Sequence, residues 1–161
     1  MATKPFIAFL DADDYYLPNR FKRTQAYFET HPEVEGVVEG VVLLYTKDYT
    51  GKKSITKYVN VNHKKLQPGP LSFGELIRTG FQLNGLTLRR KNMKSDLIFD
   101  ETLVQTQDLD LIRNLVYKGY RMDRLASSTP EVAVYVHHNS NTSNEFQEGM
   151  KFRARLEKKW I

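Results

Sequence analysis

The chain opens with an apolar run, "FIAFL" from Phe6 to Leu10, that breaks into Asp11, Asp13 and Asp14 within four residues. Five apolar residues are too few for a helix and suit a strand covered on both faces. The segment "LPNRFKRTQAYFETHP" then predicts a helix that begins at Pro18 and stops at His31 and Pro32, with Phe21 and Phe28 on one face. In "VEGVVEGVVLLYTKDYTGKKSITKYVNV" β-branched residues flank the turn "DYTGKK", which predicts two strands joined as a hairpin. A Pro-Gly-Pro loop follows, then a short helix framed by Ser72 as N-cap and Gly80 as stop.

"FQLNGLTLRRK" reads as a further strand, and "MKSDLIFDETL" as an irregular approach to the best-patterned helix of the chain. That helix, in "TQDLDLIRNLVYKGYR", carries Leu109, Ile112, Leu115 and Val116 on one face, with Thr106 placed to cap it and Gly119 to end it. The last strand falls in "EVAVYVHH", and a polar link leads to a basic C-terminal helix over 145–161. Strands and helices interleaved in this way predict an α/β fold, and the hairpin argues for a mixed sheet flanked by helices.

Composition narrows the picture. A length of 161 residues, 40% of them hydrophobic, suits a single domain over 1–161 with a real core. No apolar run reaches the roughly 18 residues of a membrane span, and "MATKPFIAFL" lacks the pattern of a signal peptide. The expectation is a cytoplasmic protein, free or peripheral to a membrane. The absence of cysteine excludes disulfides, thiol catalysis and Cys-ligated zinc. A net charge of +5 suits an anionic ligand such as a nucleotide or phosphorylated sugar. The basic residues form short clusters without the interleaved aromatics of an RNA-binding module, so no nucleic-acid partner is expected.

Three carboxylates at the end of a buried strand lie where open α/β sheets bind ligands. Their mutual repulsion is relieved by a divalent cation whose other positions stay open to phosphate oxygens or water. The plainer alternative is that one acid caps the following helix and the others are solvated. A calcium-binding EF-hand loop starting at Asp11 fails, because Tyr16 and Lys22 stand where Gly and Glu are required. A phosphatase of the haloacid dehalogenase type shares the strand and D-x-D but continues into Gly-Thr, where this chain has "DYYLP".

"FIAFLDADDYYLPNRF" resembles the metal and nucleotide-diphosphate motif of family 2 glycosyltransferases, inverting enzymes of the GT-A fold. "FQLNGLTLRRKNMKSDLIFDETLVQTQDLDLIRNLVYKGYRM" looks like the family's second half: an arginine-ended strand, Phe-Asp-Glu, and an acid that opens a helix. The resemblance runs from about Pro5 to Ser143. It implies a partial GT-A fold, a nucleotide-diphosphate sugar donor, a hydroxyl acceptor and a divalent metal, Mn or Mg. Residue by residue, it places Asp11, Asp13 and Asp14 at the donor, with Asp13 and Asp11 at the metal. It makes Asp108 the catalytic base, although Gln107 stands where the family usually has Glu. "VYVHHNSNTS" resembles the family's late histidine, and alignment on the polar run favours His138 over His137 as a metal ligand. Asn84 falls near an acceptor-side segment, and Arg89 could approach phosphate. The family's nucleotide-base-binding β-α-β half has no counterpart before the D-x-D strand, which implies an incomplete transferase, an exposed N-terminal strand and self-association through it. A non-catalytic association module of the same fold and a D-x-D phosphatase of the haloacid dehalogenase type remain the other readings.

Overall fold

A computed structural model describes residues 4–45, 58–61, 68–78, 82–93, 98–125, 132–138 and 146–161. In chain order the elements are β1 (Phe6–Ala8), β2 (Tyr15–Tyr16), α1 (Arg20–Thr30), β3 (Gly36–Val38), β4 (Val41–Tyr45), β5 (Tyr58–Val61), β6 (Gly69–Pro70), α2 (Phe73–Arg78), β7 (Leu86–Arg89), α3 (Gln107–Tyr117), β8 (Met122–Arg124), β9 (Ala133–His137) and α4 (Phe146–Trp160). They build two mixed sheets, one ordered β1-β7-β3-β8-β6 and the other β2-β9-β4-β5.

The first sheet is covered on both faces, and the period of two along its strands decides what lies where. Leu86 and Leu88 of β7, Val38 of β3 and Met122 of β8 join Leu76 of α2 and Leu111, Ile112 and Leu115 of α3 in the main core. On the other face Val37 and Phe6 pack with Phe28 of α1. The same alternation sends Asp123 of β8 towards α1, where its carboxylate accepts the Tyr27 hydroxyl at 2.8 Å. Truncating a fully buried leucine such as Leu88 to alanine costs about 2–5 kcal/mol in a core of this kind.

The hairpin expectation holds for β4 and β5, which pair antiparallel from Val41↔Val61 to Leu44↔Tyr58; its turn lies outside the described residues. The run before it is not one strand, however. It divides at Glu39 and Gly40 into β3 and β4, which belong to different sheets. The cause is a buried ion cluster. Glu39, fully buried, takes the Arg20 guanidinium and the Thr24 hydroxyl on one oxygen and a two-pronged contact from Arg23 on the other. Its amide turns away from the strand to the carbonyl of Gly85 at 3.0 Å. A Cβ at Gly85 would meet that same backbone, so only glycine allows this approach.

Helix α1 starts at Arg20, two residues after Pro18. Asn19 occupies the cap position with φ 63°, a left-handed conformation that Asn tolerates, and this aims Arg20 inward at Glu39. Phe21 and Phe28 do line the same cleft, of about 450 Å³, together with Phe6, Ala8 and Tyr16, but Phe21 stays largely exposed. Ser72 makes a full capping box with Glu75: its hydroxyl accepts the Glu75 amide, and its own amide donates to the Glu75 carboxylate. The expected stop at Gly80 lies outside the described residues. Gly119, at φ 90°, ends α3 with Tyr120 N–H returning to the Leu115 carbonyl. Strands β2, β6 and β8 have no counterpart in the sequence pattern. They are too short for any alternation to show, and β6 turns part of the Pro-Gly-Pro loop into a sheet edge.

Candidate active site at the strand ends

The sequence "DADD" forms a tight turn after β1, closed by Asp14 N–H to the Asp11 carbonyl at 3.1 Å. The Tyr16 hydroxyl clasps it from the far side by donating to the Phe9 carbonyl at 2.8 Å. Strand β2 then runs antiparallel to β9, with Tyr15 opposite Val134. This pairing brings the turn to the end of β9, where His138 emerges.

His138 is buried, and its Nε2 lies 2.9 Å from Asp13 Oδ2. A carboxylate can only accept, so the ring N–H donates. Asp14 is buried beside them. Its Oδ1 accepts Val136 N–H and its Oδ2 accepts the Asn84 side-chain amide, each at 2.8 Å. Burial pushes the Asp14 carboxyl up to about 7; the Val136 amide opposes this, Asp13 and Asp11 add to it, and Asn84 pulls back. Asp11 is exposed as a residue, yet partial burial of its carboxyl and then the charge of Asp13 lift it above the ordinary Asp range.

Asp108 stands in the first turn of α3. Burial lifts its carboxyl above the usual value, the amides of Leu109 and Asp108 oppose the lift, and the Asp11 carboxylate is close enough for its charge to add to it. The expected cap at Thr106 does not form. Thr106 is left-handed at φ 68° and gives its hydroxyl to the Gln105 carbonyl, while the Asp108 carboxylate takes the Leu109 amide at 2.8 Å. Asp110, in the same turn as Asp108, is buried. Lys159 and the Trp160 indole bind its two oxygens at 2.9 and 2.7 Å, fastening α4 to α3.

The structure therefore gathers Asp11, Asp13, Asp14, Asn84, Asp108 and His138 at one end of the sheets. It does not bring Arg89 there. The register places Arg89 beside Phe6, at the other end of β1 from the acids. Its guanidinium stacks on Phe28 and donates to the carbonyls of Phe28, His31 and Val34, closing the C-terminus of α1. His137 lies on β9 with its ring 6.3 Å from that of Tyr135. The Tyr16 hydroxyl and Val136 amide complete the frame. Neither carries a sequence signal, since one is an aromatic in a two-residue strand and the other a backbone group.

Among the described residues no three His, Asp or Glu side chains converge to hold an ion by themselves. The Asp13–His138 pair nonetheless has a suitable bite. Two adjacent ligands of an octahedral ion at about 2.1 Å lie about 3 Å apart, and Oδ2 and Nε2 are separated by 2.9 Å. The carboxylate suits a hard cation such as Mg or Mn, and the imidazole a later first-row metal.

No protein-family model matches the chain, and no curated protein matches it in sequence. Solved structures do share its fold. S. aureus TarS 1–349 in complex with UDP-GlcNAc aligns with a TM-score of 0.59 at 16% identity, over 96% of this chain and 43% of that one. TarS 1–349 alone gives 0.54 at 18% identity, over 96% and 41%. The complex with UDP gives 0.50 at the same identity and coverage. The fold is thus a partial GT-A-like α/β domain. The chain spans less than half the length of the TarS chains it matches.

Proposed function

We propose that this chain carries the metal, diphosphate and acceptor part of an inverting glycosyltransferase that uses a nucleotide-diphosphate sugar. The observation that carries the reading is the Asp13–His138 contact at the ends of β1 and β9, with Asp108 in reach of the charge on Asp11. The TarS structures with UDP and UDP-GlcNAc support a uridine diphosphate donor by likeness of fold.

Asp13 and His138 are the residues that would hold the divalent ion, with Asp11 beside them. When bound, the ion neutralises charge growing on the departing diphosphate. Asp108 acts as general base. As the acceptor hydroxyl attacks the anomeric carbon, its proton passes to the Asp108 carboxylate, the new carbon–oxygen bond forms, and the bond to the diphosphate breaks on the opposite face. Burial raises the Asp108 carboxyl, which makes its carboxylate a stronger base than an ordinary aspartate. The attack is direct, so no nucleophilic side chain is needed.

The test uses the part of the donor that meets these residues. Calorimetry with inorganic pyrophosphate and with UDP is expected to show binding in the presence of Mn²⁺, abolished by chelation and by Asp13→Asn. Equal heats with and without manganese would overturn the proposal.

A further inference from the structure

Among the three acids after β1, Asp14 has both oxygens bound by protein groups from distant parts of the chain. The register of β2 with β9 runs from Tyr16↔Ala133 to Tyr15↔Val134 and then ends. Beyond it, the Asp14 carboxylate takes the Val136 amide in place of a main-chain carbonyl. Val136 precedes His138 by two residues, so anchoring that amide sets where the imidazole leaves the strand. The second oxygen reaches Asn84, in the 3-10 turn Leu83–Gly85 that enters β7 of the other sheet. That turn is itself held, because Arg20 donates to the Asn84 carbonyl and Glu39 to the Gly85 carbonyl. Asp14 thus joins the two sheets at a point adjacent to Asp13.

We infer that Asp14 is a positioning residue and not a ligand: by clamping Val136 and Asn84 it holds His138 against Asp13. The inference deepens the proposed function and rests on it only for what the Asp13–His138 pair binds; the placement of His138 stands without it.

An exchange of partners separates the two roles. Asp14→Ala removes both arms of the clamp. In the double variant D14N/N84D the carboxamide at 14 accepts from Val136 and donates to the carboxylate at 84, restoring both arms while leaving position 14 without charge. The ring signals of His138 in NMR spectra of the ligand-free protein are expected to shift in Asp14→Ala and return in the exchange. Mn²⁺-pyrophosphate affinity is expected to fall about tenfold or more in the single variant, as for groups that orient metal ligands, and to recover in the double. A double variant as weak as the single one makes Asp14 a ligand and overturns the inference, as do His138 signals that Asp14→Ala leaves unmoved. Asn84→Ala gives a second measure, since it cuts one arm and keeps the carboxyl group at 14. Weakened binding supports the clamp, and wild-type binding overturns it. If His138 follows the exchange while no protein binds Mn²⁺-pyrophosphate, the positioning role holds and the transferase reading falls.

Discussion

Position 107 carries an amide where the resemblance leads one to expect an acid. The Gln107 nitrogen can donate to the carbonyls of Leu103 and Val104, at 2.6 and 2.9 Å, which a carboxylate could not satisfy. The substitution also adds no like charge next to Asp108. Asp108→Asn is therefore expected to leave Mn²⁺-pyrophosphate binding within about twofold and to slow sugar transfer, in any form of the enzyme with a complete donor site, by about 10²–10⁴-fold. Binding calorimetry and transfer rates together check this; a parallel fall in affinity would place Asp108 at the donor. At this scale the acids of "DADD" stand out because three carboxylates follow a buried run within four residues, whereas Asp108 enters through the resemblance alone. Arg89 was misread because a sequence shows that a strand ends in arginine but not which end of its neighbour that arginine meets. The burial of Asp110 has no signal in the sequence because its partners lie some 50 residues away, on a helix whose docking no local pattern announces.

The division of one apolar run between two sheets is the main departure at the scale of elements. Val37, Val38, Val41 and Val42 look continuous, and the single acid among them is the cue: a glutamate between valines must find cations or bend the strand out to water. Here it finds Arg20 and Arg23. Glu39→Ala leaves the Arg20 guanidinium buried without its counter-charge and is expected to cost about 3–5 kcal/mol, read from urea denaturation. A second element-level prediction concerns α1 and β8. Burial, and then the hydrogen bond to Asp123, push the Tyr27 phenol up to about 12 from an unfolded value of 10.0. A folded value above the unfolded one favours the neutral phenol in the native state. Its contribution is complete below pH 10 and lost as pH rises through about 12. Tyr27→Phe should flatten the loss of stability across that window, measured by denaturation at stepped pH.

For the molecule as a whole, the order of elements was enough to give an α/β fold with a mixed sheet, because buried runs and caps are local signals. The split into two sheets was not, since it depends on contacts between distant segments. Strand β1 forms one border of the first sheet. Pro5 C=O receives Arg90 N–H, and Ile7 faces Leu88 two residues on, so the backbone groups of Phe6 and Ala8 point away from β7. Edges of this kind pair with other chains. Light scattering is expected to show concentration-dependent self-association, reduced by Ala8→Pro, which blocks the open edge without removing a bond to β7. Unchanged association in that variant would move the contact elsewhere.

The seat of α4 has a consequence for how the chain fails. Lys159 and Trp160 hold Asp110, and Asp110 shares a helical turn with Asp108. A protease that nicks the chain after Leu156 would touch none of the residues at the strand ends, yet it would remove both partners of Asp110 and loosen the first turn of α3, which carries Asp108. Under the proposed function, loss of transfer by such trimming would precede unfolding, and the last few residues would act as a fuse for that turn.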